Sequence, residues 1–326
     1  MTTPSPDRPT ILLTNPIHDD ATVMLESHAR LVLAPDTTDA TLRTLAADAH
    51  GIIVRAKLPD DIAEHGPKLR GLVRHGVGLD LIPVEAATRH GIAVANLPGC
   101  NTQAVAEYCL SALLHLRRPL ATIDTTLRRD GWARARPIAD TVGEIGGTTL
   151  GIIGVGTIGS RVASMARLGF GVTVLGTTRR PGSLPEGVEE TGLDDLFARA
   201  DAIVVSCALT PETRGLVSRA RITRMQSHAV LINVSRGAVL ETPALIDALN
   251  ARAIGGAALD VHDVQPLPPE SRLFACPNLL LTPHVAGITA TSGRAMSVGA
   301  ADEMLRILRG ERPLNFVNPA AWPPPP

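Results

Sequence analysis

The first hundred residues alternate between short apolar runs and longer polar stretches with helical spacing. Runs of branched aliphatic residues begin near positions 11, 31, 51, 69 and 91, and turn residues or glycine close each of them. Such runs are typical of strands that are buried on both faces, and strands that alternate with helices indicate a parallel sheet. We therefore expect an α/β domain at the start of the chain.

A long helical pattern follows at residues 101–118. Apolar residues recur there at the spacing of one helix face: Val105, Cys109, Ala112, Leu113 and Leu116. Asn101 is predicted to cap the N-terminus of this helix. The helix is expected to connect two domains, and the polar segment at 132–145 is expected to form a loop.

A second alternation of strands and helices fills the rest of the chain. Six strands are predicted, at residues 149–154, 172–175, 202–206, 230–234, 256–260 and 279–281. Evenly spaced strands with helices between them describe a doubly wound sheet. A last helical pattern at 289–309 is expected to return to the first domain. The predicted fold class is therefore α/β, with two Rossmann-like doubly wound parallel-sheet domains: a discontinuous one (1–102 plus 290–326) and a second one (103–289).

Composition narrows the class of partner. With 326 residues, 44% of them hydrophobic and 19% charged, the chain can bury cores in two domains. A net charge of −1 favours neither nucleic acid nor an anionic membrane as a partner. The chain also lacks a signal peptide pattern and any apolar run near the roughly 20 residues that span a membrane. A cytoplasmic protein that binds a small molecule is the resulting expectation.

Cysteine and lysine usage excludes further kinds of site. The four cysteines show no CxxC pair and no zinc-ligand spacing, so we predict reduced core residues and no metal site: Cys100, Cys109, Cys207 and Cys276. The only lysines are Lys57 and Lys68. Schiff-base catalysis therefore has few candidate nucleophiles.

The segment TLGIIGVGTIGSRVASMARLG contains the sharpest motif. An apolar strand runs into Gly154, Gly156 and Gly159, and an amphipathic helix follows. In this context the first glycine permits a tight turn, the second allows the backbone to approach a pyrophosphate, and the third allows close helix–strand packing. The helix N-terminus, at Thr157 and Ile158, would present its amides to the anion. The motif predicts a dinucleotide-binding site.

The end of the next predicted strand bears on the choice of dinucleotide. An NAD site usually has Asp or Glu there to bind the ribose hydroxyls. Here Thr178 takes that position, and Arg179 and Arg180 follow it. Without a carboxylate to repel a 2′-phosphate, and with two guanidinium groups nearby, the hypothesis is NADP rather than NAD. The alternative is that the two arginines belong to a solvated loop.

Several further segments resemble one known family. They are VRHGVGLDLIPVEAATRHGIAVANLPGCNTQAVAE, LINVSRGAVLETPALIDAL, GGAALDVHDVQPLP and NLLLTPHVAGIT, in that order. Together with the glycine motif they resemble the D-isomer-specific 2-hydroxyacid dehydrogenases, which include phosphoglycerate, glyoxylate/hydroxypyruvate and formate dehydrogenases. The likeness spans residues 52–318 and fits the short members that lack a regulatory domain.

The resemblance implies an activity and an organisation. It implies hydride transfer between NAD(P)H and a small 2-oxo or 2-hydroxy acid, without a metal, in a homodimer. The domain 1–102 plus 290–326 would bind substrate, and the domain 103–289 would bind the dinucleotide. A competing interpretation is a dinucleotide-sensing binding protein, similar to the transcriptional corepressors that share this fold. Formate or phosphite oxidation is a third interpretation, but no motif for those substrates is found.

The resemblance also implies a catalytic set. Arg236, from N-x-S-R-G, would grip the carboxylate and carbonyl of the substrate, and His284, from T-P-H, would exchange a proton with the carbonyl oxygen. The family has a Glu where this chain has Gln265. A neutral amide can orient the imidazole but lacks the charge that raises its pKa. Asp263 or Glu270 could supply that charge instead.

Other site residues follow from the resemblance alone. The further implied cofactor contacts are Cys207, Ala208, Thr213, Val234, Ser235, Asp260, His284 and Gly287. Where the family often has His-x-Pro, this chain has Cys207 and Ala208 after Ser206. In the first domain, Val77 and Gly78 match backbone positions that hold the substrate carboxylate. Arg55, with Lys57 nearby, is a candidate for binding a distal charged group; the alternative is a solvated charge at a strand end.

Overall fold

The computed structural model describes residues 8–179 and 182–322. It divides into two compact units: unit 1 comprises Met1–Asn101 and Ile288–Pro326, and unit 2 comprises Thr102–Gly287. The units divide after Asn101 and after Gly287, whereas the sequence predicts boundaries after residues 102 and 289. Each unit is a parallel sheet with helices on both faces, so the predicted fold class is confirmed.

The sheet of unit 1 is five-stranded. Its strands are β1 (Thr10–Leu13), β2 (Arg30–Leu33), β3 (Gly51–Val54), β4 (Gly71–Arg74) and β5 (Ala93–Ala95), in the order β2-β1-β3-β4-β5. All of these pairings are parallel. Successive side chains point to opposite faces, so Leu12 and Ile52 enter one apolar layer while Ile11 and Ile53 enter the other.

Four helices connect these strands: α1 (Asp19–Glu26), α2 (Asp39–Ala46), α3 (Ile62–His65) and α4 (Val84–Arg89). Thr38 caps α2, since its hydroxyl accepts a hydrogen bond from the Thr41 amide at 3.3 Å. Leu25 of α1 and Leu42 of α2 are fully buried, each on a different face of the sheet. Both faces of this sheet are therefore covered.

The sheet of unit 2 is seven-stranded. Its strands are β6 (Thr149–Ile153), β7 (Thr173–Thr177), β8 (Val188–Glu190), β9 (Ala202–Val205), β10 (Val230–Asn233), β11 (Gly256–Leu259) and β12 (Leu279–Leu281). The order is β12-β11-β10-β9-β6-β7-β8, and every pairing is parallel. All seven carboxyl ends therefore meet at one edge of the sheet.

The helices of unit 2 cover both of its sheet faces. They are α5 (Thr102–Arg117), α6 (Leu120–Asp130), α7 (Trp132–Ala135), α8 (Thr157–Phe170), α9 (Leu193–Arg199), α10 (Arg219–Ile222) and α11 (Thr242–Asn250). Leu113 of α5 and Val162 of α8 pack in one apolar layer. Phe197 of α9 and Leu245 of α11 pack in the opposite layer.

The chain returns to unit 1 through α12 (Ala290–Leu308). Thr289 and Ser292 form a capping box at its start. The helix lies so close to the sheet that a Cβ atom at Gly71 would come 2.8 Å from Ile307. The buried carboxylate of Glu303 then accepts hydrogen bonds from the amides of Leu314 and Asn315, both at 2.9 Å. These bonds fix the segment that follows the helix.

The structure corrects several expectations about local elements. Strand β8 was not predicted, because its side chains are mostly polar and partly or fully exposed at the sheet edge. The expected loop at 132–145 contains α7 and a 3₁₀ helix at Arg136–Thr141. The predicted cap at Asn101 is wrong, since its side-chain oxygen accepts no hydrogen bond within the described residues. All four cysteines are free, but only Cys109 is a core residue.

Candidate active site

The glycine motif forms the turn between β6 and α8. Gly154 has φ +91°, and a Cβ atom there would lie 2.5 Å from the Cys207 Cα atom. Glycine is therefore required at this position by both conformation and space. A Cβ atom at Gly159 would lie 2.5 Å from the Gly154 carbonyl oxygen, so the helix could not approach the turn with any larger residue.

Gly156 differs from these two glycines. Its φ is −90° and an added Cβ atom would meet nothing within 4 Å, so the protein itself does not require glycine. The residue is exposed and stands at the N-terminus of α8. Within the described part of the chain, no acceptor binds the backbone amides of Thr157 or Ile158. Open space beside free amides at a helix N-terminus fits the pyrophosphate of a dinucleotide.

The carboxyl end of β7 lies beside this turn, since the Gly154 amide donates to the Thr177 carbonyl at 2.9 Å. Thr178 follows directly and carries no charge. Arg179 is exposed, while Arg180 lies outside the described residues. The Thr210 hydroxyl and, more weakly, Arg179 hold the pKa of Glu212 below its usual value.

The segment 206–213, which follows β9, is stabilised by hydrogen bonds of its own threonines. The Thr213 hydroxyl donates to the Ala208 carbonyl at 2.7 Å and accepts from the Thr210 amide at 2.7 Å. Ser206 donates to the Gly154 carbonyl at 2.9 Å, which ties this segment to the glycine turn. Burial raises the pKa of the Cys207 thiol, so it stays neutral and is a poor nucleophile.

Asn233 organises the turn that carries Arg236. Its side-chain oxygen accepts from the amide and the hydroxyl of Ser235, at 3.0 and 2.8 Å, and its side-chain nitrogen donates to the Arg236 carbonyl at 3.1 Å. Val234 lies between the end of β10 and Ser235. The Arg236 guanidinium donates to the Ser235 carbonyl at 2.7 Å. Asn233 is part of the N-x-S-R-G motif, but the sequence analysis predicts no role for it. Its position as a polar residue at the end of a buried strand is the feature that could have indicated one.

Asp260 fixes the segment 282–286. Its carboxylate is 2% exposed and accepts three hydrogen bonds, from the Thr282 hydroxyl and the Val285 amide at 2.7 Å and from the Ala286 amide at 2.8 Å. Its carbonyl accepts from the His284 amide at 2.9 Å. Gly287 follows this segment. Asp260 thus binds the polypeptide that carries the predicted proton donor.

Tyr108 extends this network from α5. Its hydroxyl lies 2.7 Å from that of Thr282, whose single hydrogen goes to Asp260, so tyrosine is the donor. Burial raises the pKa of Tyr108 to about 12, and the phenol therefore stays protonated at neutral pH. Sequence reasoning missed Tyr108, because the connecting helix and the T-P-H segment are far apart along the chain.

His284 and Gln265 are brought together. The Nδ1 atom of His284 lies 3.0 Å from the side-chain oxygen of Gln265. An amide oxygen can only accept, so Nδ1 carries the hydrogen in this contact. The Gln265 side-chain nitrogen donates to the His262 carbonyl at 3.3 Å, which is consistent with that orientation. Asp263, considered from sequence as an alternative source of charge, instead accepts from the Thr242 hydroxyl at 2.6 Å.

Unit 1 has its own candidate residues at the carboxyl end of β4. The Arg74 guanidinium donates to the carbonyls of Gly78, Val54 and His75, at 3.0, 2.8 and 2.8 Å, and so shapes the HGVG segment. Within the residues that the structure describes, the backbone amides of Val77 and Gly78 donate to no acceptor.

Arg55 lies after β3 in the same unit. Its guanidinium donates to the Pro16 carbonyl, and burial lowers its pKa. The Arg55 amide donates to the Thr14 hydroxyl at 2.8 Å. Arg55 is half-buried, whereas Lys57 is exposed. The two cations considered together from sequence therefore have different environments.

Two kinds of feature are absent from residues 8–179 and 182–322. No group of three or more His, Cys, Asp or Glu side chains in this part of the chain could hold a metal ion. None of the helices described here is both long enough and apolar enough to cross a membrane.

Comparison with known proteins gives a consistent set of relatives. Residues 110–286 match the family model of the NAD-binding domain of D-isomer-specific 2-hydroxyacid dehydrogenases. The chain is 35% identical to D-3-phosphoglycerate dehydrogenase of Methanocaldococcus jannaschii, over 94% of this chain but only 59% of that relative. It is 33% identical to glyoxylate reductase of Aeropyrum pernix, over 95% of this chain and 96% of the relative.

A solved structure extends the comparison. It is the NADPH-dependent glyoxylate/hydroxypyruvate reductase of Sinorhizobium meliloti in complex with NADP and malonate. The TM-score is 0.84 at 30% identity, and the alignment covers 95% of this chain and 97% of that one.

Proposed function

Because this chain belongs to the D-isomer-specific 2-hydroxyacid dehydrogenase family, we propose that it reduces a small 2-oxo acid of the glyoxylate or hydroxypyruvate class with NADPH. The coarser class, an NAD(P)-dependent 2-hydroxyacid dehydrogenase, follows from the family and its relatives. One observation carries the proposal. Arg236 and His284 follow β10 and β12, at the same edge of one sheet where β6 ends in the glycine turn.

The proposed roles follow from the chemistry of each side chain. The dinucleotide, when bound, supplies the hydride that reaches the carbonyl carbon. Arg236 aligns the carboxylate and carbonyl of the substrate through its planar guanidinium. His284 gives a proton to the carbonyl oxygen in reduction and takes it back in oxidation. Since Nδ1 faces Gln265, the proton is exchanged at Nε2.

Unit 1 contributes substrate contacts in this proposal. The backbone amides of Val77 and Gly78, which donate to no acceptor among the described residues, are donors of the kind that bind a carboxylate. Arg55 is assigned to a distal charged group of the substrate, because its half-buried cation is only partly engaged by the Pro16 carbonyl.

We assign NADP as the preferred dinucleotide. Thr178 carries no charge to repel a 2′-phosphate, and the exposed Arg179 lies next to it. Arg180, outside the described residues, belongs to the same assignment. The remaining proposed cofactor contacts are Gly154, Gly156, Thr157, Ile158, Gly159, Cys207, Ala208, Thr213, Val234, Ser235, Asp260, His284 and Gly287. The test is the ratio of kcat/KM for NADPH and NADH, and a clear NADH preference would reverse the assignment.

We also propose a cytoplasmic homodimer. Helix α6 has no buried residue, and Leu120 and Leu127, two turns apart on one face, are 63% and 40% exposed. Trp132 beyond it is 73% exposed. A second copy of the chain would bury these side chains. Sedimentation of the wild type and of Leu127→Glu tests this: the wild type should be dimeric and the variant monomeric.

The substrate proposal is tested by a panel of acids. Loss of absorbance at the reduced nicotinamide band would be followed with glyoxylate, hydroxypyruvate, phosphohydroxypyruvate and bulkier branched 2-oxo acids, at several pH values. We expect turnover with the small acids, and about a thousandfold lower kcat in His284→Asn, which keeps a polar side chain of similar size. Tight dinucleotide binding without turnover of any acid would instead support a dinucleotide sensor.

A further inference from the structure

The Thr282–Pro283 peptide bond, the second peptide bond before His284, has a single hydrogen-bonding group. Pro283 has no N–H, so the Thr282 carbonyl is the one group through which the 282–283 peptide can form a conventional hydrogen bond. That carbonyl lies 3.0 Å from the Nε2 atom of His262. A carbonyl oxygen only accepts, so Nε2 of His262 carries the hydrogen.

His262 is an unexpected side chain for a purely structural position. It is 9% exposed, and its Nδ1 atom is buried without a hydrogen-bond partner among the described residues. A buried acceptor left unpaired costs stability, whereas a phenylalanine would fill a similar volume without that cost. Core packing therefore does not explain an imidazole here. The hydrogen bond to Thr282 does.

The backbone of His262 lies at the centre of the candidate catalytic residues. Its carbonyl accepts from the Gln265 side chain. Its carbonyl carbon lies so close to Gly237, the neighbour of Arg236, that a Cβ atom on that glycine would overlap it. One residue thus contacts the segments that carry the guanidinium, the amide and the imidazole of the proposed site.

We propose that His262 is a positioning residue that holds the Thr282 carbonyl and thereby keeps His284 in register with Gln265. This inference rests on the proposed function. Asp260 anchors the segment 282–286 through the Thr282 hydroxyl and the amides of residues 284–286. Its oxygens only accept hydrogen bonds, so they cannot bind the Thr282 carbonyl, which is the one hydrogen-bonding group of the Thr282–Pro283 peptide. His284 also has φ +58°, a conformation that needs fixed neighbours on both sides. On the N-terminal side, the Thr282 amide and hydroxyl bind Leu259 and Asp260, and His262 restrains the Thr282 carbonyl, which is the group next to Pro283.

Three substitutions distinguish this role from a structural one. Glutamine places its nitrogen three bonds from Cβ, as Nε2 of histidine is placed, whereas asparagine places its nitrogen at the distance of Nδ1. Phenylalanine offers no donor. We expect kcat to fall about tenfold in His262→Phe and His262→Asn, the effect of one hydrogen bond of roughly 1.4 kcal/mol. In His262→Gln it should stay within about threefold of the wild type. The Kd for NADPH should be unchanged in all three.

A second measurement does not depend on turnover. Amide hydrogen exchange of the peptide that contains residues 282–286 should be about tenfold faster in His262→Phe and His262→Asn than in the wild type and in His262→Gln. A peptide from β9 serves as the internal control and should not change. If His262→Phe does not fold, the comparison of the glutamine and asparagine variants decides.

Several results would overturn the inference. An unchanged kcat in His262→Phe would do so, and so would a lower kcat without faster exchange at 282–286. Equal behaviour of the glutamine and asparagine variants would also exclude a role for the Nε2 donor. If the wild type reduces none of the acids in the panel, the proposed function fails, while the exchange comparison still decides whether His262 holds the segment.

Discussion

Substituting His75 by glutamine should make the stability of unit 1 less sensitive to acid. His75 follows β4, is 6% exposed, and its Nε2 atom lies 2.8 Å from the Ser297 hydroxyl on α12. That hydroxyl donates to the Gly293 carbonyl at 2.9 Å and accepts from the His18 amide at 3.0 Å. Nε2 is therefore the donor to Ser297. Glutamine can reproduce this hydrogen bond but cannot take up a proton.

The size of the effect follows from the pKa of His75. Burial, reinforced by the Arg55 and Arg74 guanidinium groups, lowers this pKa from 6.5 to about 4. The unfolded chain therefore binds the proton more readily than the folded one between these pH values. The free energy of unfolding therefore has its full value above pH 6.5. It decreases as the pH falls toward 4, by about 3 kcal/mol in all and by about 2 kcal/mol at pH 5.

Urea unfolding of the wild type and His75→Gln at pH 7 and pH 5 measures this difference. We expect the free energy of unfolding to fall by about 2 kcal/mol more in the wild type than in the variant over this interval. His28→Gln, at an exposed histidine, is the matched control and should behave like the wild type. Equal losses in the wild type and His75→Gln would refute the linkage argument.

Three further predictions concern other parts of the molecule. Gln265→Glu places a carboxylate 3.0 Å from Nδ1 of His284, so the basic limb of the kcat/KM profile for reduction should move about one pH unit upward; an unmoved limb would count against the contact. Thr178→Asp should raise the KM for NADPH at least tenfold and spare that for NADH, as steady-state kinetics with both would reveal. Glu303→Gln replaces one of two buried acceptor oxygens, which bind the amides after α12, and should lower the urea-derived free energy of unfolding by about 2 kcal/mol without changing the Kd for NADPH.

The strands predicted from sequence are those with continuous burial. β3, β6, β9 and β10 consist almost wholly of buried residues, so their apolar runs are visible without a structure. β8 is not visible in that way, because a three-residue edge strand with exposed side chains has no hydrophobic pattern. Its position depends on pairing with β7, which is a tertiary contact. Periodicity therefore predicts the interior of each sheet better than its edge.

The sequence predicts the candidate site residues that belong to short motifs. It does not predict those that contribute through hydrogen bonds from distant parts of the chain. Arg236, His284 and the glycines belong to short sequence patterns. Asn233 and Tyr108, by contrast, take part through hydrogen bonds that no local spacing predicts. Arg74 acts in the same way on the HGVG segment of unit 1.

The segment 282–286 illustrates the physical reason. A proline removes one amide, and a histidine at φ +58° adopts a conformation that an isolated chain seldom populates, so the local sequence does not stabilise this shape. The stabilisation comes from Asp260 and His262, which lie in the segment after β11 and bind the amides and the carbonyl that the motif leaves available. Since β11 and β12 are adjacent and parallel, their carboxyl ends deliver both segments to one place. The position of the His284 imidazole therefore depends on the pairing of β11 with β12. A substitution after β11, at His262, should for this reason change the proton transfer by His284, which follows β12.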